Sequence, residues 1–295
     1  MKKVLFATTA LIATAGMAAA EINFGGSARF GVVYDDSLTT DELQIHNRFT
    51  LNIDGSVETD SGIEFFARVR VRGGNTGVAG LTNSGVSAPR VGMSVAGFTL
   101  ATGNILGAYE SAPGIYDGAV GLTGLGWGNL VGNTTVAAFD WDSFSSAGAG
   151  SNGVEVIYSN AGFGAHLSHS PSNDRTALNA SYNFGDWTVA GAYQDGTTTA
   201  NDKWALTAGG SFGNFGVGVA FGDNDGLQKW RLNGSASFGA GTTVTAYVAE
   251  EDTAGVDMNY GLGFTHSLGG AVLAGGVAGT AGGTTLADLG VRFSF

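Results

Sequence analysis

Residues 22–34 read INFGGSARFGVVY, and their pattern governs the rest of the chain. Ile22, Phe24, Gly26, Ala28, Phe30, Val32 and Tyr34 fall on one side of an extended backbone. Asn23, Gly25, Ser27, Arg29 and Gly31 fall on the other. A period of two over a dozen residues marks a β-strand, because successive side chains of a strand point to opposite faces. The segment exceeds the usual strand of about 5–6 residues and matches the roughly 9–11 needed to cross a bilayer at a tilt. A water-soluble sandwich would bury the apolar side. A membrane barrel turns it outward to lipid and lines a wet lumen with the polar side.

The same beat recurs on both sides of one long interruption. Glu42–Asp54 sets Leu43, Ile45, Phe49, Leu51 and Ile53 against Gln44, His46, Arg48, Thr50 and Asn52. Ser61–Arg72 sets Ile63, Phe65, Ala67, Val69 and Val71 against a face that carries Arg68, Arg70 and Arg72. Pro89–Ala96 and Gly97–Gly103 follow. After the interruption come eleven more segments, from Gly153–Ser159 to Leu286–Phe295, about 16 strands in all. Short connections such as Gly185-Asp186 and Gly213-Asn214 alternate with longer polar ones such as Asp195–Lys203 and Glu250–Asp257. Short turns on one rim and long loops on the other are a feature of outer-membrane barrels. Gly55–Asp60 stands out as a long connection on the short-turn rim. Aromatic residues gather near segment ends (Phe98, Tyr158, Phe184, Trp187, Phe212 and Phe215 among them), where rings settle at the headgroup level. The expected fold is all-β, a 16-stranded antiparallel transmembrane barrel.

Composition narrows the function. Lys2 and Lys3, the apolar run VLFATTALIATAGM and Ala18-Ala19-Ala20 make residues 1–20 a cleaved export signal, leaving 21–295 as the barrel. No later run is long and apolar enough for a spanning helix. Cysteine is absent, so no disulfide frames the fold. The 51 glycines are well above the usual share of about 7% and suit tight turns and strands. The formal charge is −12 and grows more negative by two when the signal lysines leave. Nucleic acid is therefore not an expected partner. His166 and His169 would point to opposite faces of a strand and cannot chelate one metal. No Ser, His and acid spacing supports an enzyme, and GLGWGN at Gly124–Asn129 lacks a phosphate-loop context.

The interruption runs over about 104–150. Unstructured stretches beyond about 12–15 residues are uncommon and usually functional, so this one is expected to fold back into the lumen. Its charged residues are Glu110, Asp117, Asp140 and Asp142, with no Lys or Arg. The basic residues lie elsewhere. Arg29, Arg48, Arg68, Arg70, Arg72, Arg90 and Arg292 all sit on polar strand faces, with Arg72 expected at its strand's end, by the rim. Seven of the eleven basic residues outside the signal thus come from the first strands and the last, which closure makes neighbours. Like charges on an inner wall are costly in a dry core and tolerable against water.

The opening EINFGGSARFGVVYD, the pair RFTLNIDGSVETDSGIEFFARVRVR, the hairpin YGLGFTHSLGGAVLAGGVAG and the end LADLGVRFSF together resemble the trimeric general porins of alphaproteobacteria of the Rhodobacter type. The likeness covers essentially all of the chain beyond the signal. It implies a homotrimer in the bacterial outer membrane, in contact with lipid and lipopolysaccharide. It also implies a water-filled channel for passive diffusion of ions and small hydrophilic solutes, needing no cofactor. The terminal Phe295 matches that family's assembly signal. The resemblance further implies a constriction between loop acids (Glu110 in AYES, Asp117 in IYDG, then Asp140 and Asp142) and a basic wall of Arg29, Arg48, Arg68, Arg70, Arg90 and Arg292. A structural calcium ion on Glu110 and Asp117 is a further expectation, since carboxylates are its ligands. Two alternatives share the fold: a solute-specific channel using Tyr109, Tyr116, Trp127, Phe139 and Trp141, and a structural or adhesive barrel plugged by the loop.

Overall fold

The computed structural model of the chain describes residues 20–76, 84–126, 130, 142–172, 174–196, 202–239 and 241–295. The proposed signal before Ala20 lies outside the described residues, as do Asp140, Trp127, Phe139 and Trp141. The described strands are β1 (Glu21–Asp35), β2 (Leu43–Glu58), β3 (Glu64–Thr76), β4 (Gly85–Val86), β5 (Arg90–Val95), β6 (Phe98–Gly103), β7 (Gly153–Asn160), β8 (Phe163–Ser170) and β9 (Arg175–Phe184). They continue as β10 (Trp187–Gly196), β11 (Lys203–Phe212), β12 (Phe215–Asn224), β13 (Leu227–Phe238), β14 (Thr242–Glu251), β15 (Asn259–Ser267), β16 (Val272–Gly279) and β17 (Thr285–Ser294).

Every pairing of these strands is antiparallel, and β17 returns to β1. Both β4 and β5 lie on β3, with Val86 opposite Val71 and Arg90 opposite Arg68. They are two pieces of one wall strand, so the closed barrel counts sixteen. Pro89 has no N–H to give at the break. Ser87 bridges it: its N–H donates to the Arg70 carbonyl at 2.8 Å, and its Oγ accepts from the Arg70 N–H at 3.0 Å. At the seam Arg29 faces Arg292. The Phe295 backbone adds a two-way bond with Gly26, at 2.8 and 3.1 Å. Closure leaves no open edge to seek another chain.

Exposure fixes which face is outside. Ile45 is 72% exposed, and Phe30, Phe65, Leu100, Leu167 and Leu206 are likewise turned out. Large apolar side chains on strand after strand face outward in this way only when lipid is the solvent. The short-turn rim carries ring contacts between Phe98 and Tyr158 (4.5 Å between centroids) and between Phe212 and Phe215 (5.7 Å).

Two boundaries differ from the expected ones. β2 runs on through Gly55 to Glu58, paired with Glu64–Ala67, so the turn is only Thr59–Ile63 and conforms to its rim. Thr59 closes it, with its N–H on the Ile63 carbonyl and its Oγ1 accepting from the Ile63 N–H. β3 likewise continues four residues past Arg72, which places Arg72 within the wall opposite Thr50.

Candidate functional site: a loop laid across the lumen

The segment after β6 forms the barrel's packed interior. Its neck is tied by Asn104, whose Nδ2 donates to the Ser145 carbonyl at 3.0 Å while its Oδ1 accepts the Ser145 N–H at 2.5 Å. The chain then steps around the inner wall. Ala108 donates its N–H to Ser168 Oγ of β8 (2.8 Å), and its carbonyl accepts from Asn179 Nδ2 of β9 (2.6 Å). The Pro113 carbonyl accepts from Thr207 Oγ1 of β11 (2.6 Å). Arg231 of β13 donates to the carbonyls of Gly114 and Ile115. At the far end Val120 and Leu125 exchange two backbone bonds, forming a small hairpin tip. Asp288 of β17 caps that tip, accepting from the N–H groups of Leu122 (2.8 Å) and Thr123 (2.7 Å) and from Thr123 Oγ1 (2.6 Å). Arg29 of β1 donates from Nη1 to the Leu122 carbonyl at 3.1 Å.

Small wall residues make room for this path. Ala108, Tyr109, Ala112 and Ile115 pack on the inward alanines Ala177, Ala192, Ala205 and Ala220 of β9 to β12. Val120 and Leu125 pack on Tyr247, Ala249 and Ala278. Apolar contacts inside a wet barrel remove loop surface from water and so hold the loop. Gly126 permits the approach to Tyr247: a Cβ there would stand 2.1 Å from the Tyr247 Oη, and its φ of +85° suits glycine.

The loop acids are distributed differently from the expected facing row. Glu110 is 1% exposed, and among the described residues its carboxylate has no hydrogen-bond partner beyond its own backbone. Burial pushes its pKa up to about 7, against the pull of Lys203 and Arg175. Asp142 is fully buried as well and its pKa is raised by burial, with bonds from Ser170 and Ser168 opposing. The two acids crowd Gly107, where a Cβ would meet Glu110 Oε2 at 2.6 Å and Asp142 Oδ2 at 2.8 Å. Asp117 is the exposed loop acid among the described residues. It borders a lumen section of 710 Å³ together with Tyr116, Thr207 and Asn233, and Arg231 is the cation that feels its charge. Asp140 lies outside the described residues. Glu110 and Asp117 therefore sit in separate surroundings, one buried behind the loop and one open to the lumen. Among the described residues no three of His, Asp and Glu stand close enough to hold a metal. The pair does not fit a calcium ion.

The basic wall is contiguous. Arg48, Arg29 and Arg292 stand side by side across β2, β1 and β17, and Arg72 and Arg70 follow opposite Thr50 and Asn52 on β3. Arg29 Nε also donates to His46 Nε2 at 2.8 Å. Arg68 pairs with Asp54, and Arg90 pairs with Glu155 at 2.6 Å. Arg72 has Thr50 Oγ1 at 3.4 Å. Arg70 lays its guanidinium over the Phe144 ring at 5.4 Å, and among the described residues its Nε has no hydrogen-bond partner. Arg48, Arg70, Arg72 and Arg292 make no ion pair among the described residues. Arg292 is exposed near the short-turn rim, and with Arg29 and Arg48 it borders a second lumen section of 470 Å³.

Sequence reasoning missed the cations that receive the loop, namely Arg175, Lys203 and Arg231, all buried on β9, β11 and β13. It also missed a relay on the near side. Glu155 Oε2 stands 3.0 Å from His166 Nε2, off the line of a hydrogen bond, and His166 Nδ1 meets Ser111 Oγ at 2.6 Å. Ser111 Oγ also donates to the Ala108 carbonyl and accepts from Asn179 Nδ2, so its proton is committed to holding the loop. The inward alanines of β9 to β12 were the available signal: they interrupt a polar face where something apolar must cover them.

A closed barrel with an apolar exterior, a hydrated basic wall and a loop across its lumen defines a membrane channel. The chain belongs to the Gram-negative porin family, whose model matches residues 7–285. It is 32% identical over 294 residues to a porin of Fuscovulum blasticum, covering 93% of this chain and all of that one. A triple mutant of Rhodopseudomonas blastica porin superposes with a TM-score of 0.81 at 28% identity, again over 93% of this chain and all of the other. A variant of the same porin with two basic and two acidic positions replaced by alanine gives 0.80 at 27%, with the same coverage. The protein is thus an outer-membrane porin, a channel for passive diffusion and not an enzyme. This kinship does not favour the solute-specific or plugged alternatives.

Proposed function

We propose that this porin favours small anions, because the narrowed part of its lumen keeps its cations uncompensated while its loop acids are spent elsewhere. The observation that carries this reading is the fate of the acids. Glu110 and Asp142 are buried between the loop and the wall, Asp142 beside Ser168 of β8 and Glu110 within the pull of Lys203 and Arg175, whereas Arg48, Arg70 and Arg72 have no acidic partner among the described residues. Fixed charge at a constriction with low-dielectric walls raises the local concentration of the opposite ion and steers its entry. Asp117, facing Arg231, leaves a smaller negative patch on the opposite side.

The test is the reversal potential of the purified channel in a planar bilayer under a KCl gradient. Wild type gives an anion-favouring sign, and Arg48→Gln, Arg70→Gln and Arg72→Gln combined move it toward or past zero. A cation-favouring wild type overturns the reading. Three copies associate through the outer face near the β1–β17 seam, where Gly26, Ala28 and Ala67 are small and the Phe295 ring lies over Gly26. Native mass spectrometry in mild detergent reads that number. The lipid-facing girdle and the long-loop rim around it meet lipopolysaccharide in the outer leaflet, which a defined lipopolysaccharide titration in the same spectrometer tests.

A further inference from the structure

The relay and the basic wall enclose one section of the lumen that differs from the rest. It measures 470 Å³ and is lined by Arg68, Arg70, Arg90 and Asn52 on one side and by Leu106, Phe144 and Ile157 on the other. Its size falls within the range of small-molecule sites, and such sites combine a mostly apolar lining with a few placed polar groups. The charged groups here are not equivalent. Arg90 directs both Nε and Nη2 to Glu155 Oε1, each at 2.6 Å. Arg68 gives its Nε to Asp54. Among the described residues Arg70 alone of the three has no acid, and its buried Nε has no acceptor. A buried guanidinium donor without an acceptor is costly and marks a place where an acceptor is due. The Phe144 ring already covers one face of that guanidinium at 5.4 Å, which leaves its edge for an in-plane oxyanion.

We propose that this section is a binding subsite for small monocarboxylates that carry an aromatic or branched apolar body. The carboxylate accepts from the edge of Arg70, with Arg68 and the Asn52 amide beside it. The apolar body lies along Phe144, Leu106 and Ile157. Inorganic anions and acetate satisfy only the first half of this arrangement. Dianions gain less than their charge suggests, because Asp54 and Glu155 already neutralise the flanking arginines. The subsite rests on the anion-favouring reading above but adds to it a saturable, shape-dependent step.

The experiment is the block of chloride current through the purified wild-type channel by sodium benzoate and by sodium acetate, titrated at constant ionic strength. Benzoate is expected to reduce the current saturably, with a half-blocking concentration at least about tenfold below that of acetate, the factor that burial of one ring readily supplies. Arg70→Gln is expected to raise the benzoate half-block by about ten- to a hundredfold, as loss of a charge-assisted hydrogen bond would. Phe144→Ala is expected to bring benzoate and acetate together. Equal block by the two anions in wild type, or an unchanged half-block in Arg70→Gln, overturns the subsite. The reversal potential from the same recordings keeps the two ideas apart: an anion-favouring sign without benzoate block rejects the subsite and leaves the charge reading standing. A cation-favouring sign rejects both.

Discussion

Replacing Asp288 by alanine should release the loop tip from the wall while leaving the barrel closed. The carboxylate accepts three hydrogen bonds from the tip, at 2.8, 2.7 and 2.6 Å, and is itself buried. Hydrogen bonds to a charged group contribute about 1.5–3 kcal/mol each. At the low end, since the three share one acceptor, the tip loses roughly 4–5 kcal/mol of local stability. Each 1.4 kcal/mol is tenfold, so local opening should become roughly a thousandfold more frequent. One donor from the other side remains, Arg29 Nη1 to the Leu122 carbonyl, and the Val120 and Leu125 contacts with Tyr247 and Ala278 limit how far the tip travels. The assay is amide hydrogen exchange on the peptide containing residues 120–126, with a strand peptide from β12 as the internal reference. Asp288→Asn keeps one acceptor oxygen and should fall between alanine and wild type. Open-channel current noise should rise in the same order. If the tip peptide of Asp288→Ala exchanges as slowly as wild type while the barrel is intact, the cap does not hold the loop and the argument fails.

Three further outcomes are expected. Glu110 has a folded-state pKa near 7, raised by burial, so the folded protein holds its proton more tightly than the unfolded chain. The associated stability is full below the ordinary carboxylate pKa and is lost as pH rises through about 7; thermal denaturation of Glu110→Gln should show a smaller fall than wild type between pH 5 and 8. Gly126→Ala should lower heat resistance, because its Cβ meets the Tyr247 ring and its φ is +85°, and adding Tyr247→Ala should recover part of the loss; an additive pair would show that the two residues do not share the contact. Asn104→Ala removes both bonds across the loop neck and should cost about 1–3 kcal/mol locally, read as faster exchange at residues 142–146 with the β6 and β7 peptides unchanged.

Much of this molecule was legible in the chain because strand alternation is a local property. Phe30 and Arg29 must point opposite ways on any strand, and a lipid solvent assigns them outside and inside. The strands, their number and the barrel's rims follow from that rule repeated along the sequence, whereas the porin likeness was carried by particular segments such as LADLGVRFSF. The wall arginines were legible for the same reason, since each sits at an inward position of its own strand. Boundaries at Gly55 and Arg72 were less so, because glycine reads as a turn until its partner strand supplies the ladder.

The loop's destination could not be read this way. Nothing local to AYES tells whether Glu110 faces water or the wall; that depends on alanines 67 to 110 residues further on, Ala177 to Ala220, brought beneath it by closure. The same closure sets Lys203 and Arg175 behind Glu110, Asp288 under the tip and His166 against Ser111. The sequence by itself determined the barrel and the side of each charge, because a strand's faces are fixed residue by residue. Only the tertiary structure decided which charges meet, because an irregular segment has no period and takes its conformation from the surface it covers.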